Sequence, residues 1–208
     1  MTGRMMIGLF GALALAGCAT KMSEEDCAFA DWAAIGDADG QAGAAREAFG
    51  RRAERCAAFG VTANYDAYFA GRERGLQAYC TPGSGYEAGR SGQEYRGVCP
   101  ADIEAGFLEE YQIGRQLYAL EQAHRSAVSA YDYAISSIDS SRDSIQRARK
   151  KLRDSGLSEE EREKLRRRIE SERRDIERTE RELPYLASKI DEASGRLEDY
   201  RAYLRRRR

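Results

Sequence analysis

Residues 165–204 read LRRRIESERRDIERTERELPYLASKIDEASGRLEDYRAYL. Apolar residues recur in this stretch at alternating steps of three and four, which is the heptad spacing of a helix that packs one seam against another helix. Glu172 and Thr179 occupy the two steps that are not apolar. The stretch therefore predicts a long coiled-coil helix. Its apolar seam consists of Leu165, Ile169, Ile176, Leu183, Leu186, Ile190, Ala193, Leu197, Tyr200 and Leu204.

A second long helix is predicted upstream. Ser158 and Glu161 have the spacing of a capping box, which marks a helix start, and Gly156 suits the end of the preceding helix. We expect helices at about 103–153 and 158–205, joined by a short turn into an antiparallel hairpin. Pro184 is expected to bend the second helix locally. The seam of the first helix is predicted at Val128, Tyr131, Ile135, Ile138, Ile145 and Leu152, with Arg142 and Arg149 interrupting it.

Composition divides the chain near Pro100. Residues 18–100 hold 12 of the 20 glycines, whereas residues 101–208 hold 24 basic and 23 acidic residues. A region of about 80 residues buries a limited core, so we expect it to need cross-links. The predicted fold is all-α: a small disulfide-stapled helical domain at 18–100, followed by a long antiparallel coiled-coil hairpin at 101–208.

The first residues predict export. Arg4 precedes an apolar run that is too short to cross a bilayer as a helix but suits a signal peptide. Leu15-Ala16-Gly17-Cys18 resembles the lipobox of bacterial lipoproteins, which implies removal of residues 1–17 and a lipid on Cys18. An ordinary signal peptide that ends at a cysteine is the alternative. By resemblance to Gram-negative sorting, Ala19 favours a lipid-anchored protein in the outer membrane, facing the periplasm.

The remaining cysteines are Cys27, Cys56, Cys80 and Cys99. An even number of cysteines in an exported protein indicates disulfides, and four of them allow three connectivities. The pairing of Cys27 with Cys56 and of Cys80 with Cys99 is favoured because it closes short loops. A zinc site is disfavoured because no two of these cysteines have the close spacing of typical zinc ligands.

The pentapeptide Tyr-x-x-Gly-Arg occurs three times, beginning at Tyr68, Tyr86 and Tyr111, and Trp32 opens a looser relative. On a helix, the tyrosine, glycine and arginine share one face. That face suits a helix crossing, with glycine at the contact point, or a surface that binds a sugar, a phosphate or a carboxylate. The predicted ligand contacts are Trp32, Tyr68, Arg72, Tyr86, Arg90, Tyr111 and Arg115.

Catalytic signals are weak. His124 is the only histidine, which removes most triad and metal schemes. We predict no catalytic residues, no metal and no cofactor. Residues 101–208 are nearly neutral, which argues against a general nucleic-acid binder.

The spacing of cysteine, tryptophan and glycine over about residues 24–120 resembles domain of unknown function 2799, an uncharacterised proteobacterial envelope lipoprotein family. The resemblance implies an exported, lipid-anchored protein and supplies no activity. It rests on Cys27, Asp31, Trp32, Gly36, Asp39, Gly40, Cys56, Gly71, Arg72, Gly75, Leu76, Tyr79, Cys80, Gly85, Gly89, Tyr95, Cys99 and Pro100.

Two functional hypotheses follow. The first is a non-enzymatic periplasmic scaffold or adaptor, held at the membrane by its lipid and binding a protein partner, or a second copy of itself, through the hairpin. The alternative is a binding module for cell-wall glycan or glycolipid that uses the tyrosine and arginine side chains.

Overall fold

The computed structural model describes residues 22–207, and this part of the chain contains seven helices and no strand. The predicted all-α class is therefore confirmed. No helix within these residues has the length and apolar character that crossing a membrane requires. Cys18 and the predicted signal peptide lie outside the described residues. The helices are α1 (Glu24–Ala28), α2 (Trp32–Gln41), α3 (Ala48–Ala57), α4 (Tyr65–Tyr79), α5 (Pro82–Arg90), α6 (Ala101–Lys151) and α7 (Glu159–Arg207).

The described residues form two compact units. Unit 1 contains residues 22–88 and 93–112, and unit 2 contains residues 89–92 and 113–207. The compositional change at Pro100 does not coincide with this division, because the first turns of α6 belong to unit 1. Phe107, in those turns, is fully buried in the core of unit 1.

Two disulfides cross-link unit 1. Cys27 is bonded to Cys56 and Cys80 to Cys99, which confirms the sequential pairing. The bridges span 29 and 19 residues, and all four cysteines are buried. Restriction of the unfolded chain by loops of this size contributes roughly 3 kcal/mol for each bridge.

Helices α2 and α4 cross with their backbones in contact. Gly36 and Gly40 in α2 face Gly71 and Gly75 in α4. A methyl group added at any of the four would overlap main-chain atoms of the opposite helix. For the pentapeptide at Tyr68, the helix-crossing hypothesis is therefore confirmed.

A glycine pattern not anticipated from the sequence occurs twice. Residues 36–43 and 85–92 both read Gly-x3-Gly-x2-Gly. The first glycine of each run faces the main-chain carbonyl of a fully buried aromatic residue, Tyr68 for the first run and Phe107 for the second. The Tyr-x-x-Gly-Arg pattern does not show this repeat, because it aligns the tyrosines and not the glycines that make the contacts.

The third glycine of each run has the same role. Gly43 and Gly92 adopt φ angles of 61° and 77°, a conformation that glycine enters without steric cost. Gly43 lies against the ring of Tyr79 and Gly92 against the ring of Tyr118. Each turn therefore needs glycine for two reasons, its backbone angle and the ring beside it.

Within unit 2, α6 and α7 run antiparallel. Glu121 contacts Arg201 near one end of the pair, and Arg142 contacts Glu180 further along. Every position of the predicted α7 seam is at least half-buried, so that seam is confirmed. We refer to residues 113–207 as the hairpin.

The α6 seam differs from the prediction. Ala134, Ser141 and Ala148 are buried or half-buried, whereas Ile135 is 36% exposed and the arginines at 142 and 149 point to solvent. At these positions α6 thus buries small side chains, which alternate with the large buried side chains of Ile138 and Ile145. The two arginines do not interrupt the seam, because the residue before each of them fills it.

The turn between the helices is fixed by side chains. Ser158 and Glu161 exchange hydrogen bonds as a capping box, as predicted. The guanidinium of Arg162 donates to the carbonyl oxygens of Leu152 and Asp154, at 3.2 and 2.9 Å. These bonds satisfy carbonyls that the end of α6 leaves open. Gly156 lies within the turn instead of ending α6, and α7 continues through Pro184.

Candidate functional site

An ion pair lies inside unit 1. The Nε and Nη2 atoms of Arg52 donate to the carboxylate of Asp39 at 3.0 and 2.7 Å, and the Tyr68 hydroxyl donates to the same carboxylate at 2.7 Å. All three residues are buried. Burial and the hydrogen bond to Asp39 raise the pKa of Tyr68. Removing one partner would leave a buried charge uncompensated, which costs about 3–5 kcal/mol.

Three of the predicted ligand contacts are interior residues. Trp32, Tyr68 and Arg72 have exposed fractions of 6%, 0% and 6%. The Nη2 atom of Arg72 donates to the carbonyl of Ala44 at 2.9 Å, and its buried Nε atom has no hydrogen-bond partner among the described residues. These three side chains hold unit 1 together and are not accessible to a ligand at its surface.

Tyr111 also has a structural role. Its hydroxyl donates to the carbonyl of Gln93 and accepts from the main-chain N–H of Tyr95. The Tyr95 hydroxyl in turn donates to Glu104 and accepts from the N–H of Cys99. Burial, with the hydrogen bond to Glu104, raises the pKa of Tyr95 to about 12. Tyr111 therefore anchors the loop that carries the second disulfide.

The remaining predicted contacts are Tyr86, Arg90 and Arg115. Tyr86 is half-buried in unit 1, while Arg90 and Arg115 are exposed in unit 2. Arg115 donates to the carbonyl of Gly92 at 3.3 Å and lies 5.7 Å from the centre of the Tyr118 ring. A ligand contact at these three residues stays a prediction.

An exposed aromatic patch, which the pentapeptide pattern missed, lies elsewhere on unit 1. The guanidinium of Arg46 stacks 4.2 Å above the ring of Phe69 and donates to the Tyr65 hydroxyl at 2.8 Å. Tyr65 is 50% exposed, and its ring packs against Phe49 and Phe69. We call Arg46, Phe49, Tyr65 and Phe69 the aromatic patch. Tyr65 and Phe69 are four residues apart on α4, and this helical spacing is the sequence feature that could have indicated the patch.

A groove adjoins the aromatic patch. Its volume is about 520 Å³, and apolar side chains form most of its wall with one carboxylate among them. An aromatic ring beside a few polar groups is typical of sites that bind sugars or peptide segments. The lining residues are Phe49, Ala53, Glu54, Ala57, Gly60, Val61, Thr62, Ala63 and Tyr65.

The hairpin has its own exposed aromatic residues. Tyr133 on α6 is 78% exposed and Tyr185 on α7 is 63% exposed. The Glu121–Arg201 and Arg142–Glu180 contacts bracket both tyrosines, so they lie at a similar level along the antiparallel pair. Large aromatic side chains on a helix surface are enriched at protein interfaces.

A polar layer interrupts the apolar seam of the hairpin. Glu172 accepts a 2.7 Å hydrogen bond from the Ser144 hydroxyl, and Arg168 donates to the same hydroxyl at 3.1 Å. Hydrogen bonds from Ser144 and Ser141 lower the pKa of Glu172, with smaller contributions from Arg168 and Arg147. The layer explains why this step of the heptad pattern is not apolar, because a polar seam position fixes register.

Unit 1 is a disulfide-bridged domain of short helices. Residues 31–116 match the family model described as "Protein of unknown function (DUF2799)", and this range includes helices α2 to α5 and three of the four bridged cysteines. The resemblance to domain of unknown function 2799, inferred from cysteine, tryptophan and glycine spacing, is thereby confirmed over these residues. The description names no activity. No curated protein and no solved structure is significantly similar to the chain.

Proposed function

We propose that this protein is a non-enzymatic, lipid-anchored scaffold or adaptor of the outer membrane, facing the periplasm, which binds a protein partner through its hairpin. The observation that carries the proposal is the pair of exposed tyrosines, Tyr133 and Tyr185, on the surface of the hairpin. Tyrosine supplies a large contact area at a low cost in conformational entropy, which favours its use in binding.

The seam supports the same proposal. The seam residues of both helices are buried or half-buried, so the two helices cover each other's apolar faces. A partner would then meet a preformed surface and would not have to replace one helix. Homodimerisation through the hairpin remains the alternative partner arrangement.

Site-specific photocrosslinking in intact cells tests the partner. We expect a crosslinkable phenylalanine derivative at position 133 or 185 to give a discrete adduct with another protein. The same group at position 65 is the matched control, since Tyr65 is also an exposed tyrosine but lies in unit 1. Absence of an adduct from both hairpin positions would count against the scaffold, and an adduct of twice the chain's mass would indicate a dimer.

The anchor is tested separately. Radiolabelled palmitate should enter the wild-type chain and should not enter a Cys18→Ser variant. Equal labelling of both chains, or no labelling of either, would remove the proposed membrane attachment without affecting the crosslinking result.

The aromatic patch favours a second candidate function, binding of cell-wall glycan by unit 1. Aromatic rings can stack on sugar faces, and Glu54 and Thr62 offer hydrogen-bonding groups in the adjoining groove. Retention on purified peptidoglycan should fall for an Arg46→Ala/Tyr65→Ala variant and persist for Arg166→Ala/Arg167→Ala, which removes two exposed arginines of α7. Equal retention of wild type and the first variant would defeat this candidate.

A further inference from the structure

A dense basic segment lies at the end of α6, next to the turn. Residues 146–153 read QRARKKLR and contain no acidic residue. Five cationic side chains of this segment are exposed. We call them the basic tip cluster: Arg147, Arg149, Lys150, Lys151 and Arg153.

The basic tip cluster is unpaired within residues 22–207. None of its members makes an ion pair or a side-chain hydrogen bond there, although Arg147 is near enough to Glu172 to contribute to its lowered pKa. Several arginines of α7 differ. Arg166 and Arg167 both pair with Glu163, and Arg174 pairs with Glu170.

Helix capping does not account for the cluster. Cations near a helix C-terminus interact favourably with its open carbonyls. Here the guanidinium of Arg162, from α7, already donates to the carbonyls of Leu152 and Asp154. The five cations therefore exceed what the end of α6 requires, and their charge is directed to solvent.

Four of the five cations converge. Arg147, Arg149, Lys150 and Arg153 line one shallow groove of about 360 Å³, together with the amide of Gln146. Arginine offers paired N–H groups that match phosphate oxygens, and lysine adds a point charge. The groove thus has the chemistry of a site for phosphate groups.

We propose that the basic tip cluster docks the turn of the hairpin onto a bilayer that contains anionic phospholipid. Four to eight Lys and Arg residues on an amphipathic helix are typical of such docking, at roughly 1 kcal/mol for each cation near the surface. The cluster is confined to one end of the α6–α7 pair, which suits a flat surface. A nucleic acid would need unbalanced cations along the hairpin, where 23 basic residues are largely offset by 19 acidic ones. The inference does not depend on Cys18 or on a protein partner.

A fluorophore at the turn tests this docking directly. Ser155, which is exposed beside the cluster, is changed to cysteine in the full chain and labelled with an environment-sensitive dye. Cys18→Ser is added so that only the introduced thiol reacts, because the other four cysteines form disulfides. The probes are vesicles of phosphatidylcholine, with and without phosphatidylglycerol. The dye reports contact at the turn, whatever the rest of the chain does.

We expect a dye response only with phosphatidylglycerol, and its loss at high salt because screening weakens exposed charges. Changing all five cluster residues to glutamine should weaken the apparent affinity by about tenfold or more. The control variant changes Arg166, Arg167, Arg174 and Arg178 to glutamine and should retain the response.

Three results would overturn the proposal. They are an equal response to both vesicle types, an unchanged response in the five-glutamine variant, and an equal loss in the control variant. A comparable response to soluble inorganic polyphosphate would assign the cluster to a dissolved polyanion and would also overturn the bilayer as its partner.

Discussion

Unit 1 and the hairpin stabilise helices in different ways. The helices that lie wholly within unit 1 have 5 to 15 residues, and the unit relies on two disulfides and on direct backbone contact between α2 and α4. The hairpin has no cysteine, and α7 repeats one seam from Leu165 to Leu204. Short helices concentrate their stability in a few contacts, whereas a long seam distributes it over many.

The ion pairs of the two regions also differ in how far their side chains are exposed. The side chains of Arg52 and Asp39 in unit 1 are only 10% and 9% exposed. On α7, the paired side chains of Arg174 and Glu170 are 65% and 58% exposed. An exposed pair contributes at most about 1 kcal/mol, while breaking a buried pair is costly. Removing one partner of an ion pair should therefore lower the stability of unit 1 more than that of the hairpin.

Reduction of the disulfides should give the largest difference between the units. Each bridge contributes roughly 3 kcal/mol, and the pair together approaches the whole stability of a typical domain. We expect the fluorescence of Trp32, the only tryptophan and a buried one, to shift to longer wavelength after reduction and alkylation. The helical circular dichroism should largely persist, because α7 and most of α6 belong to unit 2. Unchanged tryptophan emission would contradict this account of unit 1.

A glycine pair should give the next largest effect. Gly71→Ala places a methyl group against the carbonyl of Ala33, so α2 and α4 must separate, at a cost of about 1–3 kcal/mol or more. Gly50→Ala is the matched control because nothing lies within 4 Å of the added methyl on α3. It should be neutral or stabilise by about 0.5–1 kcal/mol. Denaturant unfolding followed by Trp32 fluorescence measures both, and equal midpoints would show that the crossing tolerates side chains.

The smallest effect is expected from the polar layer of the hairpin. Because the folded-state pKa of Glu172 is lowered, its contribution is complete above the pKa of an unfolded glutamate and is lost as pH falls through the folded value. Glu172→Gln should lower hairpin stability by about 1 kcal/mol or less at pH 7, and the gap should close in acid. Thermal melts followed by circular dichroism, at pH 7 and in acid, measure the stability difference between the wild type and the variant. Glu163→Gln, on the surface of α7, should show no comparable loss of stability. A loss for Glu172→Gln that persists in acid would contradict the stabilising role of the ionised Glu172 carboxylate.

The parts of the fold that the sequence predicted are those governed by local spacing. The α7 seam, the Ser158–Glu161 capping box and the sequential disulfides all follow from residues close in the chain. In the α6 seam, five of the six predicted apolar positions are buried or half-buried, and only Ile135 is wrong, because Ala134 is buried in its place. Which of the two neighbours is buried depends on packing against α7, and the spacing of α6 does not show this.

The candidate site was predicted less well, because burial depends on contacts distant in sequence. A Tyr-x-x-Gly-Arg helix face looks the same whether it meets a ligand or another helix. Only the packing of α2 on α4 shows that Tyr68 and Arg72 are interior. The Asp39–Arg52 ion pair joins residues that are 13 apart on different helices, and no local sequence pattern links the two residues.

The contact between glycine and main-chain carbonyl at the α2–α4 crossing bears on how distant relatives of this domain could be found. Apolar positions accept several side chains of similar volume, so they drift as sequences diverge. Gly36, Gly71 and Gly75 accept none, because the obstacle is backbone that cannot repack. A search template weighted towards these glycines should therefore detect more distant relatives than one built on the apolar core.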